Sequence, residues 1–442
     1  MNTNKLWFWS ITVALGGFLF GFDTAVISGA EQTIQQVWQL DDVQHGFTVS
    51  IALIGTVFGA LFGGIPSDRI GRQKTLCWIA VLYLVSAVGS ALATDWSIFL
   101  FSRFIGGLGV GASSVAAPMY ISEISPPHSR GKLVALFQFN IVFGILIAYL
   151  SNYLIAGVGE DAWRWMLGVE AFPALIFLIM ILLVPESPRW LILKRNDIQQ
   201  AQEILMQIDP QHAEAEVQSI RASSRSTDTK RIPFFSRKYS WPITLAVLFA
   251  LFNQMSGINA IIYYAPRIFA MTGLGTSSAL LSSAGIGLVN FLATLFGLTM
   301  IDRVGRRTLM LVGSFGLILT LGLVARAFFV ESFGMLVPIY LFAYIAFFAF
   351  SQGAVIWVFI SEIFPNSVRA SGQALGSFTH WLMAAVVAFS FPIVTTALGG
   401  GLTFAIFCAM MMLQLLFVWK MMPETKGKSL EELEQDLRYE KV

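Results

Sequence analysis

Long apolar runs alternate with short polar connections along almost the whole chain. A helix that crosses a bilayer needs about 20 mainly apolar residues. Twelve runs reach that length: 7–29, 47–66, 75–94, 97–121, 132–156, 163–184, 241–271, 278–301, 308–330, 334–361, 368–397 and 402–422. Pro118, Pro266 and Pro392 fall inside such runs, where the carbonyls they free must find protein or water partners. The one long polar stretch is 185–240. Within it Ile198, Ala201, Ile204, Leu205 and Ile208 recur at helical spacing, which predicts amphipathic helix over 197–222, and Ser223 to Thr229 reads as a linker. The pattern predicts an all-α membrane protein with 12 transmembrane helices in two sets of six. These are an N-terminal half over 1–184, a cytoplasmic linker over 185–240, a C-terminal half over 241–422 and a tail over 423–442.

Composition agrees with a chain dissolved in lipid. Of the 442 residues 56% are hydrophobic and only 12% charged, about half the charge of a soluble domain. The net charge of +2 says little, but its placement says more. Arg69, Arg72 and Lys74, Arg130 and Lys132, the stretch from Arg189 to Lys238, Arg303, Arg306 and Arg307, Arg369 and the tail from Lys420 lie in alternate loops. The intervening segments 30–46, 95–96, 272–277 and 398–401 hold no Lys or Arg. Positive charge is retained on the cytoplasmic side, so both termini are expected there. The first run is longer than the apolar core of a signal peptide and is expected to be a retained span. The implied partner is the lipid bilayer, with no nucleic acid. Cys77 and Cys408 both lie in apolar runs and are expected to be packing residues.

The two halves repeat each other. Ile121-Ser122-Glu123-Ile124 returns as Ile360-Ser361-Glu362-Ile363, an offset of 362 − 123 = 239. Asp68-Arg69-Ile70-Gly71-Arg72 returns as Asp302-Arg303-Val304-Gly305-Arg306, and Pro185-Glu186-Ser187 as Pro423-Glu424-Thr425. Parallel six-span repeats are the architecture of carriers that hold substrate near the midplane and rock one half against the other.

Over nearly the whole chain the motifs resemble the sugar porters of the major facilitator superfamily. They are GFDTAVISG (21–29), DRIGRQK (68–74), RFIGGLGVG (103–111), PMYISEISP (118–126), PESPRWL (185–191), QMSGINAIIYYAP (254–266), DRVGRR (302–307), ISEIFP (360–365) and PETKGKSLEELE (423–434). DRxGRR, as in 302–307, marks only the superfamily at large, whereas PESPRWL with PETKGKSLEELE is specific to sugar porters. The resemblance implies the major facilitator fold, a monosaccharide as substrate and a bacterial inner membrane as the location. It also implies function as a monomer, no cofactor, and the proton as coupling ion.

Three ionisable residues sit at similar depth, about 10 Å into the membrane: Asp23, Arg103 and Glu170. An unpaired charge there costs at least about 2.5 kcal/mol, so the three are expected to meet. Two acids face one Arg, which leaves a carboxyl available to carry a proton. In the family, the first-span Asp pairs with the fourth-span Arg in proton symporters and is Asn in human facilitative glucose carriers. Keeping Asp23 favours symport, with a proton-independent uniporter as the alternative.

A second set, Gln138, Asn253, Gln254, Asn259, Asn290, Trp357, His380 and Trp381, lies deep in spans five, seven, eight, ten and eleven. Amides both donate and accept, which suits sugar hydroxyls, and Trp offers a pyranose an apolar face. The resemblance assigns Gln138, Gln254, Asn259, Asn290, Trp357 and Trp381 to the sugar site. Three positions depart from the family: Asn253 replaces Gln, Ala354 replaces Pro before the tenth-span Trp, and His380 replaces Asn or Gln. Ile145 matches glucose facilitators rather than the xylose symporter's Gln. The expected substrate is glucose-like, with fructose, galactose and xylose open.

At the cytoplasmic helix ends, Asp68, Arg72, Glu123, Arg130, Arg189, Asp302, Arg306, Glu362 and Arg369 are expected to act as a gate between the halves. An enzyme is the competing class. His45, His128, His212 and His380 make no metal motif, and no nucleophile–base pattern appears. Gly427-Lys428-Ser429 resembles a P-loop ending, but Met422 stands where its first Gly is required. A non-transporting sugar sensor is the other class, and such sensors carry longer tails.

Overall fold

The computed structural model describes residues 3–126, 129–225, 233–334, 336–365, 368–428 and 432–433. His128, the side chain of Arg130, most of the 223–229 linker and most of the tail motif beyond Lys428 lie outside the described residues. Among the described residues there is no strand. Helices run in the order α1 (Thr3–Val37), α2 (Asp42–Phe62), α3 (Gly64–Ile70), α4 (Arg72–Leu92), α5 (Trp96–Ile124), α6 (Arg130–Ile155), α7 (Ala162–Gly168), α8 (Ala171–Ile181) and α9 (Pro188–Trp190). They continue as α10 (Ile198–Ile208), α11 (Ala213–Arg225), α12 (Ser240–Met255), α13 (Ile258–Met271), α14 (Thr276–Val304), α15 (Arg306–Phe329), α16 (Leu336–Phe348), α17 (Ala354–Glu362) and α18 (Arg369–Lys420).

Among the described residues, eleven helical stretches are long and apolar enough to cross a membrane. The last holds two spans. It has 52 residues, and Gly399 inside it is non-helical at φ 77, ψ 164. At about 1.5 Å per residue it is more than twice the thickness of a hydrocarbon core, and the break at Gly399 turns it back. The structure therefore holds twelve spans, with a one-residue break where a loop over 398–401 was expected.

Several spans are broken rather than continuous. Span six is interrupted between α7 and α8 at Val169-Glu170, and span seven between α12 and α13 at Ser256-Gly257. Span ten contains a π-helical turn over Ala349–Gly353, directly before the position where the family's Pro is missing. Span one extends eight residues beyond its expected end, to Val37, and α2 begins at Asp42 rather than 47. The predicted amphipathic segment is two helices, α10 and α11. Ala201, Ile204, Leu205 and Ile208 of α10 are buried, as their spacing predicted.

Packing divides the chain into two units. One comprises 1–23, 54–145 and 167–231, and the other 24–53, 146–166 and 232–442. The second unit thus includes the far end of α1, the start of α2 and the last third of α6. Two hydrogen bonds show how they join it: Asn152 Nδ2 donates to the Val26 carbonyl at 3.0 Å, and the Tyr149 hydroxyl to the Ile262 carbonyl at 2.6 Å. Its core includes Phe249, Phe359 and Phe364, all fully buried.

Candidate functional site

In the first unit, three charges predicted to meet do so. Asp23, Arg103 and Glu170 are each at most 2% exposed. Arg103 Nη1 donates to Asp23 Oδ1 at 2.5 Å, and Nη2 to the Asp23 carbonyl at 3.2 Å. Glu170 occupies the break between α7 and α8. Its carboxyl lies within the fields of both Asp23 and Arg103. An ionised carboxylate is purely an acceptor, so two carboxyls brought this close could bond each other only through a proton. Glu170 Oε1 and the Ser86 hydroxyl are buried here without a hydrogen-bond partner. The arrangement is one cation, two acids and room for one proton.

The second unit holds seven of the eight polar residues expected at midplane. The break in span seven explains how they meet. Gly257 has φ +86, a left-handed conformation that L side chains resist. In a continuous helix, positions five apart point about 140° from one another. Across the break, Asn259 Nδ2 reaches Gln254 Oε1 at 2.6 Å. Gln254 Nε2 in turn donates to Asn253 Oδ1 at 2.9 Å and lies 3.2 and 3.1 Å from the two ring nitrogens of His380. A ring nitrogen accepts from that amide only through a free lone pair. Asn253 Nδ2 lies 3.5 Å from the carbonyl of Gln352, in the π-helical turn, where the extra residue frees a main-chain acceptor. The His380 ring is 4.9 Å from Trp357 and 4.8 Å from Trp381. Trp357 is 37% exposed and presents an open aromatic face beside this chain of amides. Asn290 is buried on α14 and does not join the hydrogen-bonded chain. Gln138 is half-buried on α6 of the first unit.

The repeated motifs form the same circuit twice. In the first unit Arg72 Nε and Nη2 each lie 3.0 Å from a Glu123 oxygen, and Nη1 pairs with Asp68 at 3.0 Å. Glu186 Oε1 accepts the main-chain N–H groups of Arg72, Gln73 and Ser187 at 2.8, 3.1 and 2.8 Å. It thereby satisfies donors that the start of α4 leaves open. Burial pushes the Glu186 carboxyl above its usual range, and the three amides oppose that shift. The Ser187 hydroxyl closes the circuit on Glu123 at 2.5 Å. In the second unit Arg306 pairs with Glu362 at 2.8 Å and Asp302 at 2.9 Å. There Glu424 accepts from the Arg306 and Arg307 amides at 2.9 and 3.0 Å, and Thr425 donates to Glu362 at 2.6 Å. Each circuit lies within one unit. Arg369 donates instead to the Phe364 carbonyl at 3.3 Å, and Arg189 is exposed.

Sequence reasoning overlooked Glu186, Ser187, Glu424 and Thr425 as members of these circuits, although it used them as repeat markers. It also overlooked Glu31, His45 and Arg267, which meet in the second unit. Arg267 carried a usable signal, a charge inside the predicted span 241–271. Glu31 and His45 carried none, because both fell in a segment expected to be a loop.

The family model described as sugar (and other) transporter matches residues 9–437. The D-xylose-proton symporter of Escherichia coli (strain K12) is 38% identical over 480 residues, covering 98% of this chain and 97% of that protein. The glucose transporter GlcP of Staphylococcus epidermidis is 36% identical, covering 99% and 98%. The arabinose-proton symporter of Bacillus subtilis is 36% identical, covering 96% and 94%. Among solved structures, the inward open conformation of the xylose transporter XylE from E. coli aligns with a TM-score of 0.88 at 36% identity, covering 97% of this chain and 99% of that one.

Proposed function

The chain belongs to the sugar porter family of the major facilitator superfamily, and from that membership we propose that it carries a monosaccharide across a bacterial inner membrane with a proton, by alternating access. It is a transporter, not an enzyme. The carrying observation is the buried Asp23–Arg103 pair with a second buried acid, Glu170, within its field. An unbalanced acid in a dry site is kept only at a cost of several kcal/mol, and proton coupling gives that cost a use. When Asp23 is ionised it holds Arg103. When it is protonated the pair weakens, and the helices carrying the two residues, α1 and α5, are released from each other. A proton shifts this equilibrium only through its different affinity for the two states. Asp23 is the proton carrier, Arg103 its switchable partner, and Glu170 the acid that shares or relays the proton.

The sugar is held by Gln138, Asn253, Gln254, Asn259, Asn290, Trp357, His380 and Trp381. Trp357 lies against the ring face, and the amides bond the hydroxyls. Ile145 favours a glucose-like hexose over a pentose. Lys and Arg lie in alternate loops, which supports cytoplasmic termini; with that orientation the Asp68–Arg72–Glu123 and Asp302–Arg306–Glu362 circuits would be gate elements on the cytoplasmic side. Arg130, Arg189 and Arg369 are assigned to the same gate. The monomer is the working unit.

Sugar uptake into proteoliposomes, with and without an imposed pH gradient, tests the reading. Wild type concentrates sugar only with the gradient. Asp23→Asn, a permanent imitation of the protonated acid, loses uphill accumulation yet keeps exchange at equal sugar concentrations. Wild-type uptake indifferent to the gradient would make the protein a uniporter. Accumulation retained by Asp23→Asn would move the proton site to Glu170.

A further inference from the structure

Glu31, His45 and Arg267 form another buried set of titratable groups, in the second unit and apart from Asp23. Glu31 on α1 and His45 on α2 are both 0% exposed. The imidazole Nε2 lies 2.7 Å from Glu31 Oε2 and donates to it. Arg267 on α13 grips the same carboxylate, Nε at 3.0 and 3.2 Å from its two oxygens and Nη2 at 2.7 Å from Oε2. Arg267 Nη2 also donates to Gln35 Oε1 at 2.6 Å. It comes within 3.3 Å of His45 Nε2, where one donor faces another and only the carboxylate between them holds the group together. His45 Nδ1 is buried with no hydrogen-bond partner. The other groups facing the set are Asp42 at the start of α2, within the field of Arg267, and Tyr264 of α13, whose ring centroid is 5.9 Å from the imidazole. From α18 come the Ala388 carbonyl, which takes the Tyr264 hydroxyl, and the ring of Phe391.

One carboxylate therefore has two rival cations. With Arg267 docked, a proton on His45 would put a second positive charge 3.3 Å from the guanidinium, and the new Nδ1–H would point at no acceptor. With Arg267 withdrawn, Glu31 has lost its cation and a proton on His45 replaces it. Withdrawal is mechanically available. Arg267 directly follows Pro266 and the non-helical Tyr264 (φ −117, ψ 18), where α13 is kinked. We propose that Glu31 and His45 are a second proton-binding site, reached from outside the cell, which fills when Arg267 leaves and empties when it docks. The proposal rests on the orientation and alternating access given above. Because the proton binds only the undocked state, external acid favours outward opening.

The test uses a cysteine-free parent (Cys77→Ala, Cys408→Ala) carrying Ile34→Cys, beside Glu31 on α1 and fully buried in the docked state. Val158→Cys, at a position 63% exposed, corrects for the pH dependence of the thiol and reports on folding. A membrane-impermeant maleimide is applied to each face of oriented vesicles between pH 5.5 and 8. The corrected rate at Ile34→Cys is expected to rise several-fold toward acid, because protonation of His45 and docking of Arg267 exclude each other. His45→Gln, which keeps an N–H for Glu31 but cannot gain a proton, makes the rate flat. Arg267→Gln makes it high at every pH. A pH response unchanged by His45→Gln overturns the proposal, as does a site that stays closed in Arg267→Gln. A pH-dependent reaction reached only from the cytoplasmic face overturns the orientation instead, and is told apart by the face of entry.

Discussion

At the scale of single residues, the proposed sugar site is a chain of hydrogen bonds that constrains its own members. Gln254 sits at the branch point: its carbonyl takes Asn259, and its amide nitrogen faces both Asn253 and the His380 ring. Gln254→Ala removes one polar contact to sugar and leaves three neighbours short of a partner. Sugar binding should weaken by about 1–3 kcal/mol, read as a shift in Kd by calorimetry on folded protein. His380 touches the same amide, so in the proposed site it would act on sugar both directly and by fixing Gln254. His380→Asn should therefore reorder glucose against fructose. Combined with Gln254→Ala it should depart from additivity by about 0.5–3 kcal/mol, as residues sharing a bond do. Strict additivity with unchanged selectivity would make His380 a packing residue.

At the scale of elements, the working parts lie where helices are interrupted. Glu170 is in the break of span six, Gln254 and Asn259 flank the break of span seven, and Asn253 reaches the π-helical turn of span ten. An interruption exposes main-chain groups that a membrane tolerates only where protein or water satisfies them, and it lets side chains converge that a regular helix would separate. Gly71 and Gly305 are interruptions of another kind. Each separates two helices of its half with φ near +100 (105 and 100), in a region open to glycine. A Cβ on Gly71 would fall 2.1 Å from Glu186 Oε2, inside the cap of α4. Gly71→Ala should cost about 1–3 kcal/mol from backbone strain alone, whereas Gly64→Ala, with nothing within 4 Å, should cost little. Thermal unfolding in detergent compares the two, and equal midpoints would mean that the cap does not support the fold.

At the scale of the whole molecule, charge placement decides how the chain lies in the membrane. Val158 stands in the turn between α6 and α7, and Asp197 heads α10 in the basic linker. By the positive-inside rule, a single cysteine at Val158 in intact cells should react with an impermeant reagent. One at Asp197 should react only after permeabilisation. The reverse pattern would invert the topology and exchange the roles given to the two sides. The doubled Arg–Glu circuits belong to the same scale, since each half builds its own from the same three motifs.

The number of spans, the repeat and the meeting of Asp23, Arg103 and Glu170 could all be read from the residues in order. Lipid explains why: a bilayer demands about 20 apolar residues per crossing, so the runs count the spans and every charge inside a run is conspicuous. Span ends were less legible, because Glu31 and His45 look like loop residues until their partner is known. The tertiary structure alone decided that partner. Arg267 is 236 positions from Glu31, and no local pattern links them. It also decided where helices break. Whether Gly257 interrupts a span while Gly16 passes unnoticed depends on which groups nearby can take up the freed backbone bonds, and that is a property of packed neighbours rather than of sequence order.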